Sequence, residues 1–531
     1  MSSNTLITTA ISYTNGGPHI GHLYESVLSD FLLKSFKLFS NVKLLTGTDE
    51  HGKKIETTAQ SQNMTPLELC NINSIKFKSL NDKLGVNYDH FIRTTDENHK
   101  KLVTESILAS ESNGDIYLDN YTGYYNLREE CFVSELEAAQ SNYLDSVTGK
   151  PLEKITEESY FFKLEKYKEY IKNLNQSGLV FPTYCFAADT RLDILKDLSI
   201  SRTSFNWGIE FPKLVSEEKH IVYVWFDALL NYVTGSKLLF DQDKPALPCG
   251  ASFNKVKSLV VSLKQSLSHK AKPVLSEPRS SRARDSPNMT IHLIGKDIIW
   301  FHSVIYPAIL KSCGYDEYQA KNILVHGFIL DKNGIKMSKS LGNVIDVDYL
   351  LDKYPVEAIR YYLIMETTWG EDIKFNEDRL KELYNNQLIK DFGNLYQRLY
   401  TLTKPLQKEI NEYFINKDNL IRKTIDQFMN ELEPITKSYS IYKYKSLIQT
   451  LCTNTNKELT DKKPWDKTTN LENKIQIIGS LLVEMNKIMI LLNPIIPNKI
   501  DQLRKWLGWE DIYNYQLNIT IDKVRAFEIL I

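Results

Sequence analysis

The sequence predicts an α/β protein in which a parallel-sheet domain is split by an inserted module and followed by a helical bundle. Three observations carry this. A β-branched run, Thr5–Tyr13, closes in Asn15-Gly-Gly-Pro18 and leads into a segment with helical apolar spacing. Residues 116–215 are richer in Tyr, Glu and Lys and lose that periodicity. Beyond Phe375 the pattern is long helices with few strand signals. At 531 residues, 42% hydrophobic and 25% charged, the chain is long enough for three or four domains of about 150 residues.

Taken in order, Thr5–Tyr13 reads as a buried strand running into a glycine turn. Leu23, Val27, Leu28, Phe31, Leu32 and Phe36 then recur at helical spacing. Val42–Thr48 supplies a second strand, so strand, turn, helix and strand open a parallel α/β unit. After the inserted module, His220–Phe226 and Thr290–Gly295 are expected to return to that sheet. Between them Cys249–Met289 is Ser- and Lys-rich and reads as a basic surface insertion. Helices are expected over 380–402, 419–435, 444–451 and 475–492. The apolar run Ile477–Leu492 is interrupted by Glu484, Asn486 and Lys487, which favours a bundle helix over a membrane span.

Lys+Arg 65 against Asp+Glu 66 gives a net charge of -1. That excludes a strongly basic nucleic-acid binder, and any RNA must be held by local patches. The six cysteines form no CxxC, against a disulfide framework or cysteine-based zinc site and for a reducing compartment. The N-terminus lacks a secretory or transit pattern. A cytoplasmic location follows as the expectation, with an organellar matrix left open.

Two clusters carry chemistry. In Asn15-Gly-Gly-Pro-His-Ile-Gly-His22, two imidazoles lie in a glycine turn at a helix N-terminus, where backbone N–H groups and the dipole favour an anion. Capping histidines and a metal pair are the competing readings, the metal one lacking a nearby third ligand. Walker A and GxGxxG loops are absent. In Gly334-Ile-Lys-Met-Ser-Lys-Ser-Leu-Gly-Asn343, two lysines bracket Ser338 in a glycine-bounded loop that can close over a polyphosphate. The competing reading is a solvated surface loop.

Together, Pro18-His-Ile-Gly-His22 and Lys336-Met-Ser-Lys-Ser340 resemble the HIGH and KMSKS signatures of class I aminoacyl-tRNA synthetases. Ala10–Gly16, Thr46–Gly52, Leu198–Gly208, Val222–Tyr232 and Ile294–His302 narrow the resemblance to the methionyl family. It implies a Rossmann-type catalytic domain in two halves, 1–115 and 216–330, the second carrying the basic insertion 249–289. A connective-peptide module, 116–215, separates them; a KMSKS linker, 331–375, and an α-helical anticodon-binding domain, 376–531, follow. The implied reaction joins methionine to ATP, releases pyrophosphate, and passes the methionyl group to tRNA(Met).

By motif position, His19, His22, Lys336 and Lys339 are implied as catalytic, with Gly21, Met337, Ser338 and Ser340 also on ATP and Mg²⁺ on its phosphates. Asp49 is implied to receive the methionine ammonium. Ala10, Ile11, Tyr13, Trp225, Ala228, Leu229, Tyr232, Ile298 and His302 are implied to line the amino-acid pocket, an apolar aromatic setting suited to a thioether. Asn394, Arg398 and Trp465 resemble readers of an unpaired anticodon.

The match departs in three places. Many relatives carry cysteine zinc knuckles in the connective module, where Asn126–Phe132 keeps only Cys131, so zinc is not expected. Leu229 stands where some relatives have proline, and the basic insertion has no counterpart. The end at Ile531 leads us to expect a monomer without an appended domain. A small nucleotidylyltransferase also uses an HxGH pair but needs no helical bundle. A catalytically silent tRNA-binding paralogue has no need of both intact motifs.

Overall fold

The computed structural model describes residues 4–126, 131–133, 135–145, 149–187, 190–240, 287, 289–337, 341–509, 517–518 and 526–530. The predicted basic insertion lies outside the described residues apart from Pro287 and Met289. A seven-stranded sheet is built from β1 (Asn4–Thr9), β2 (Ser12–Tyr13), β3 (Asn41–Asp49), β4 (His90–Arg93), β5 (Val180–Phe181), β6 (Met289–Gly295) and β7 (Asn322–His326). Every pairing is parallel: β1 lies between β3 and β6, β4 adds to β3, and β7 joins β6 to β5. Such strands are covered on both faces, so β1 and β6 read as nearly continuous buried runs.

The predicted strand Thr5–Tyr13 is broken at Ala10–Ile11. Thr8 pairs with Leu45 and Ser12 with Thr48, so three residues intervene on one strand and two on the other. The extra residue makes a bulge, which turns the backbone and re-aims side chains at the sheet's C-terminal end.

The helix α1 (Ile20–Lys37) buries Leu23, Val27, Leu28, Phe31, Leu32 and Phe36, the six predicted positions. His220–Phe226 departs from expectation. Ile221–Val222 pairs antiparallel with Ser201–Arg202, outside the parallel sheet, and Val224–Leu229 is helical. A short apolar run fits a buried helix and a strand equally well, and periodicity cannot separate them.

Within 116–215, Ile116–Asn126 and Glu153–Phe162 form an antiparallel pair flanked by Cys131–Val133 and Leu198–Ser199. The same stretch also returns to the parallel sheet, at β5. Near the C-terminus Gln407–Lys437, Ile441–Lys462, Leu471–Leu492 and Pro497–Leu507 pack as a bundle. Leu471–Leu492 is long and apolar enough to cross a membrane, yet Leu481, Leu482, Met485, Ile488 and Leu492 are wholly buried in the bundle.

Sheet and bundle share one hydrophobic core. Phe31 of α1 meets Tyr444 edge-on at 5.2 Å, and Trp369 donates its indole N–H to Tyr439 O at 2.8 Å. Arg360, 1% exposed, pins the junction. It donates to Asp30 Oδ2 on α1 (2.6 Å), Leu84 O (3.1 Å), and Pro494 O and Ile495 O (3.1 and 2.7 Å) before the last bundle helix. A buried guanidinium is tolerated only when its donors are met in this way.

Candidate active site

His19 is the N-cap of α1. Its Nδ1 accepts the Gly21 N–H at 3.1 Å, while His22 Nδ1 accepts the His19 N–H at 3.1 Å. A ring nitrogen that accepts from a backbone N–H carries no proton, so in the neutral imidazole the hydrogen sits on Nε2. Capping uses Nδ1 and leaves Nε2–H as donor, so the capping that the structure shows does not exclude the phosphate reading. The rings lie 3.7 Å apart. Burial, then the proximity of His19, holds the His22 pKa well below its ordinary value. A Cβ on Gly21 would approach His19 Cε1 to 2.9 Å, so a larger residue there would push the His19 ring from its capping position. Among the described residues, neither histidine belongs to a group of three possible metal ligands.

One turn further along α1, Glu25 reaches the bulge: its Oε1 accepts the Ala10 N–H at 3.1 Å. Burial, with a contribution from Asp297, pushes its carboxyl up to about 8. Ala10, His22, Glu25, Thr46, Gly47 and Phe77 line one cavity. Asp49 is buried at the end of β3, in register with Tyr13, and its carbonyl accepts the Thr14 N–H at 3.0 Å.

Trp225 stacks on Phe301 with centroids 3.6 Å apart, on the short helix that also bears Ala228 and Leu229. His302 Nδ1–H donates to Ile298 O at 3.0 Å, so Nε2 is the acceptor for the Tyr232 hydroxyl at 2.8 Å. That chain joins three of the predicted pocket residues. Burial takes the His302 pKa down to about 4, consistent with a neutral ring. Ile11, Trp225, Leu229 and Tyr232 share one apolar cluster, and Ala10 and Ile298 flank another. Tyr13 instead packs beside Ile55, Ala59, Leu69 and Cys70, with Lys54 Nζ 5.7 Å from its ring.

Lys336 is exposed, with Nζ 4.3 Å from the Phe328 ring centroid, and Met337 leans on the core. Asp331 shapes the loop, accepting the Ile335 N–H at 2.9 Å and the Asn343 amide at 3.0 Å around Gly334, whose φ is +80°. Ser338, Lys339 and Ser340 lie outside the described residues. Lys296 Nζ also lies 4.7 Å from the Phe328 ring centroid and pairs with Asp372 at 2.6 Å.

The family described as tRNA synthetases class I (M) matches residues 5–143, 135–247 and 261–400. A methionine-tRNA ligase of Ureaplasma parvum is 34% identical over 92% of this chain and 89% of its own length. One of Rhizobium meliloti is 33% identical over 94% and 90%. The chain belongs to the methionine-tRNA ligases of class I. Among solved structures, Mycobacterium tuberculosis methionyl-tRNA synthetase in complex with methionyl-adenylate superposes with a TM-score of 0.76 at 29% identity, covering 96% of this chain and 94% of that one. Its apo form gives 0.75 at 26% identity, covering 100% and 98%.

In this methionine-tRNA ligase the residues expected to meet the anticodon lie in the helical C-terminal region. Asn394 and Arg398 lie one turn apart on Asn394–Thr403, which follows a π-helical stretch, Leu383–Gly393. The Arg398 guanidinium sits 5.1 Å from the Trp465 ring, which is 46% exposed. Cys131 lies in its short strand with its side chain outside the described residues; Glu158, Glu218 and His220 bring three possible metal-ligand atoms within 4.8 Å of one another.

Sequence reasoning missed Glu25, Lys296 and a buried set comprising Glu50, His51, His99 and Asp227. Glu25 had a signal, since it lies one helical turn after His22 on the same face. His99 had none.

Proposed function

We infer that this chain activates methionine with ATP, forming methionyl-adenylate and pyrophosphate, and then transfers the methionyl group to tRNA(Met). Family membership carries the reading, and the arrangement at the start of α1 supports the chemistry. ATP enters as its Mg²⁺ complex. A methionine carboxylate oxygen attacks the α-phosphorus and pyrophosphate leaves; a hydroxyl of the terminal tRNA ribose then attacks the methionyl carbonyl and AMP leaves.

Catalysis here is placement and charge stabilisation. Nε2–H of His22 and of His19 donates to phosphate oxygens as negative charge moves onto them, and the N-terminus of α1 adds its dipole. Lys336 and Lys339 neutralise the departing pyrophosphate, with Lys296 near the same ring as Lys336. Asp49 takes the methionine ammonium, Trp225 and Tyr232 bound the side chain, and His302 holds the Tyr232 hydroxyl. Asn394, Arg398 and Trp465 meet the anticodon.

ATP-pyrophosphate exchange measured with each amino acid tests this. Methionine should be the substrate that supports exchange, and His22→Ala should slow it by about 10²–10³-fold. Exchange driven by another amino acid, or none with methionine, refutes the reading.

A further inference from the structure

The residues given to methionine come from separate segments, and one buried carboxylate lies where these segments meet. Asp227, 1% exposed, sits between Trp225 and Ala228 on their helix. Its Oδ2 accepts from His51 Nδ1 at 2.6 Å and its Oδ1 from His99 Nε2 at 2.7 Å. Burial opposes its charge, but the attraction of His51 and the hydrogen bonds from both histidines prevail and hold the carboxyl below the usual carboxylate range.

Each histidine leads to another wall of the pocket. His51 lies two residues beyond Asp49, in a segment gripped from both sides. Trp207 accepts the Gly52 N–H on its carbonyl at 3.0 Å and returns its indole N–H to Glu50 O, while its ring meets His51 at 5.7 Å. The buried Glu50 carboxylate takes Thr48 Oγ1 and Arg93 Nε, both at 2.7 Å. His99 Nδ1 lies 2.9 Å from Thr234 Oγ1, two residues beyond Tyr232 on the next helix. The ammonium site, the Trp225 wall and the Tyr232 wall thus meet on one carboxylate.

We propose that Asp227 is a positioning residue for methionine: through His51 it sets Asp49 against the Trp225–Ala228 wall, and through His99 and Thr234 it sets Tyr232. It touches no reacting atom. The assignment rests on the reading of function above, and it separates from a merely structural role because it predicts selectivity between the two small substrates. A buried ion network that only stabilised the fold would lower the amount of active enzyme and leave both KM values alone.

The test is exchange kinetics on the full chain carrying Asp227→Asn, His51→Gln or Thr234→Val, with unfolding midpoints measured alongside. Asp227→Asn keeps the size and removes the charge; Thr234→Val weakens only the distal link and keeps the assay informative should the first variant fail to fold. The KM for methionine should rise about tenfold or more in Asp227→Asn and His51→Gln, and less in Thr234→Val, while the KM for ATP stays within about twofold. Folded variants with unchanged methionine KM, or with both KM values rising together, would overturn the assignment. If the wild type shows no methionine-dependent exchange, the reading of function fails and takes this assignment with it.

Discussion

The His19 N–H occupies His22 Nδ1, which leaves Nε2–H as the donor of this imidazole, the atom that our reading gives to phosphate. Glu25, one turn along, has a different consequence. Its carboxyl, raised to about 8 from an ordinary 4.5, stays protonated in the fold over a range where the unfolded chain would release the proton. The sign follows directly: the folded state binds more protons, so this group favours folding at low pH and its contribution declines as pH rises from 4.5 towards about 8. Glu25→Gln keeps an acceptor for Ala10 and removes the titration. Its melting temperature relative to wild type should therefore climb across that window; parallel curves would show that Glu25 does not titrate there. The histidine pair was legible in the sequence, but which nitrogen faced which partner was not, since that depends on the helix cap closing. The bonds from His51 and His99 to Asp227 span sequence separations of 176 and 128, and no local pattern announces them.

At the level of elements, α1 was readable because a single helix imposes one period over its whole length. The bulge at Ala10–Ile11 was not, because it exists only in the register against β3. Likewise the Val222–Phe226 run carries no period long enough to tell strand from helix, and a helix there lets Trp225 stack on Phe301. Arg360 shows how elements are tied. It donates to four acceptors on three separate segments, including the buried Asp30 carboxylate. Arg360→Ala should cost about 3–5 kcal/mol in chemical denaturation, as expected when one partner of a buried pair is removed. A loss below about 1 kcal/mol would mean that water replaces the guanidinium without penalty.

On the scale of the whole molecule, the bundle serves both as part of the core and as a presentation surface. Leu471–Leu492 runs through its interior, while the Trp465 ring stays half-exposed with Arg398 across its face. An exposed indole paired with a guanidinium is suited to stack on an unpaired base. Trp465→Ala should depress charging of tRNA(Met) by about tenfold or more while exchange stays within about twofold, a stacked base being worth roughly 1–3 kcal/mol. Equal losses in both assays would make Trp465 a packing residue. The order of domains was readable from the sequence because composition and period change along the chain. Their shared core was not, because nothing local marks Phe31 as the partner of Tyr444.

That shared core also bears on inheritance. Because the flank of α1 is covered by the bundle, a lesion in the last third of the gene should reach beyond the surface around Trp465; it should lower the quantity of folded catalytic domain as well. Temperature-sensitive alleles of this locus should therefore gather around Arg360, Trp369 and Tyr439, outside both signature motifs, and should arrest translation as completely as changes in the motifs themselves.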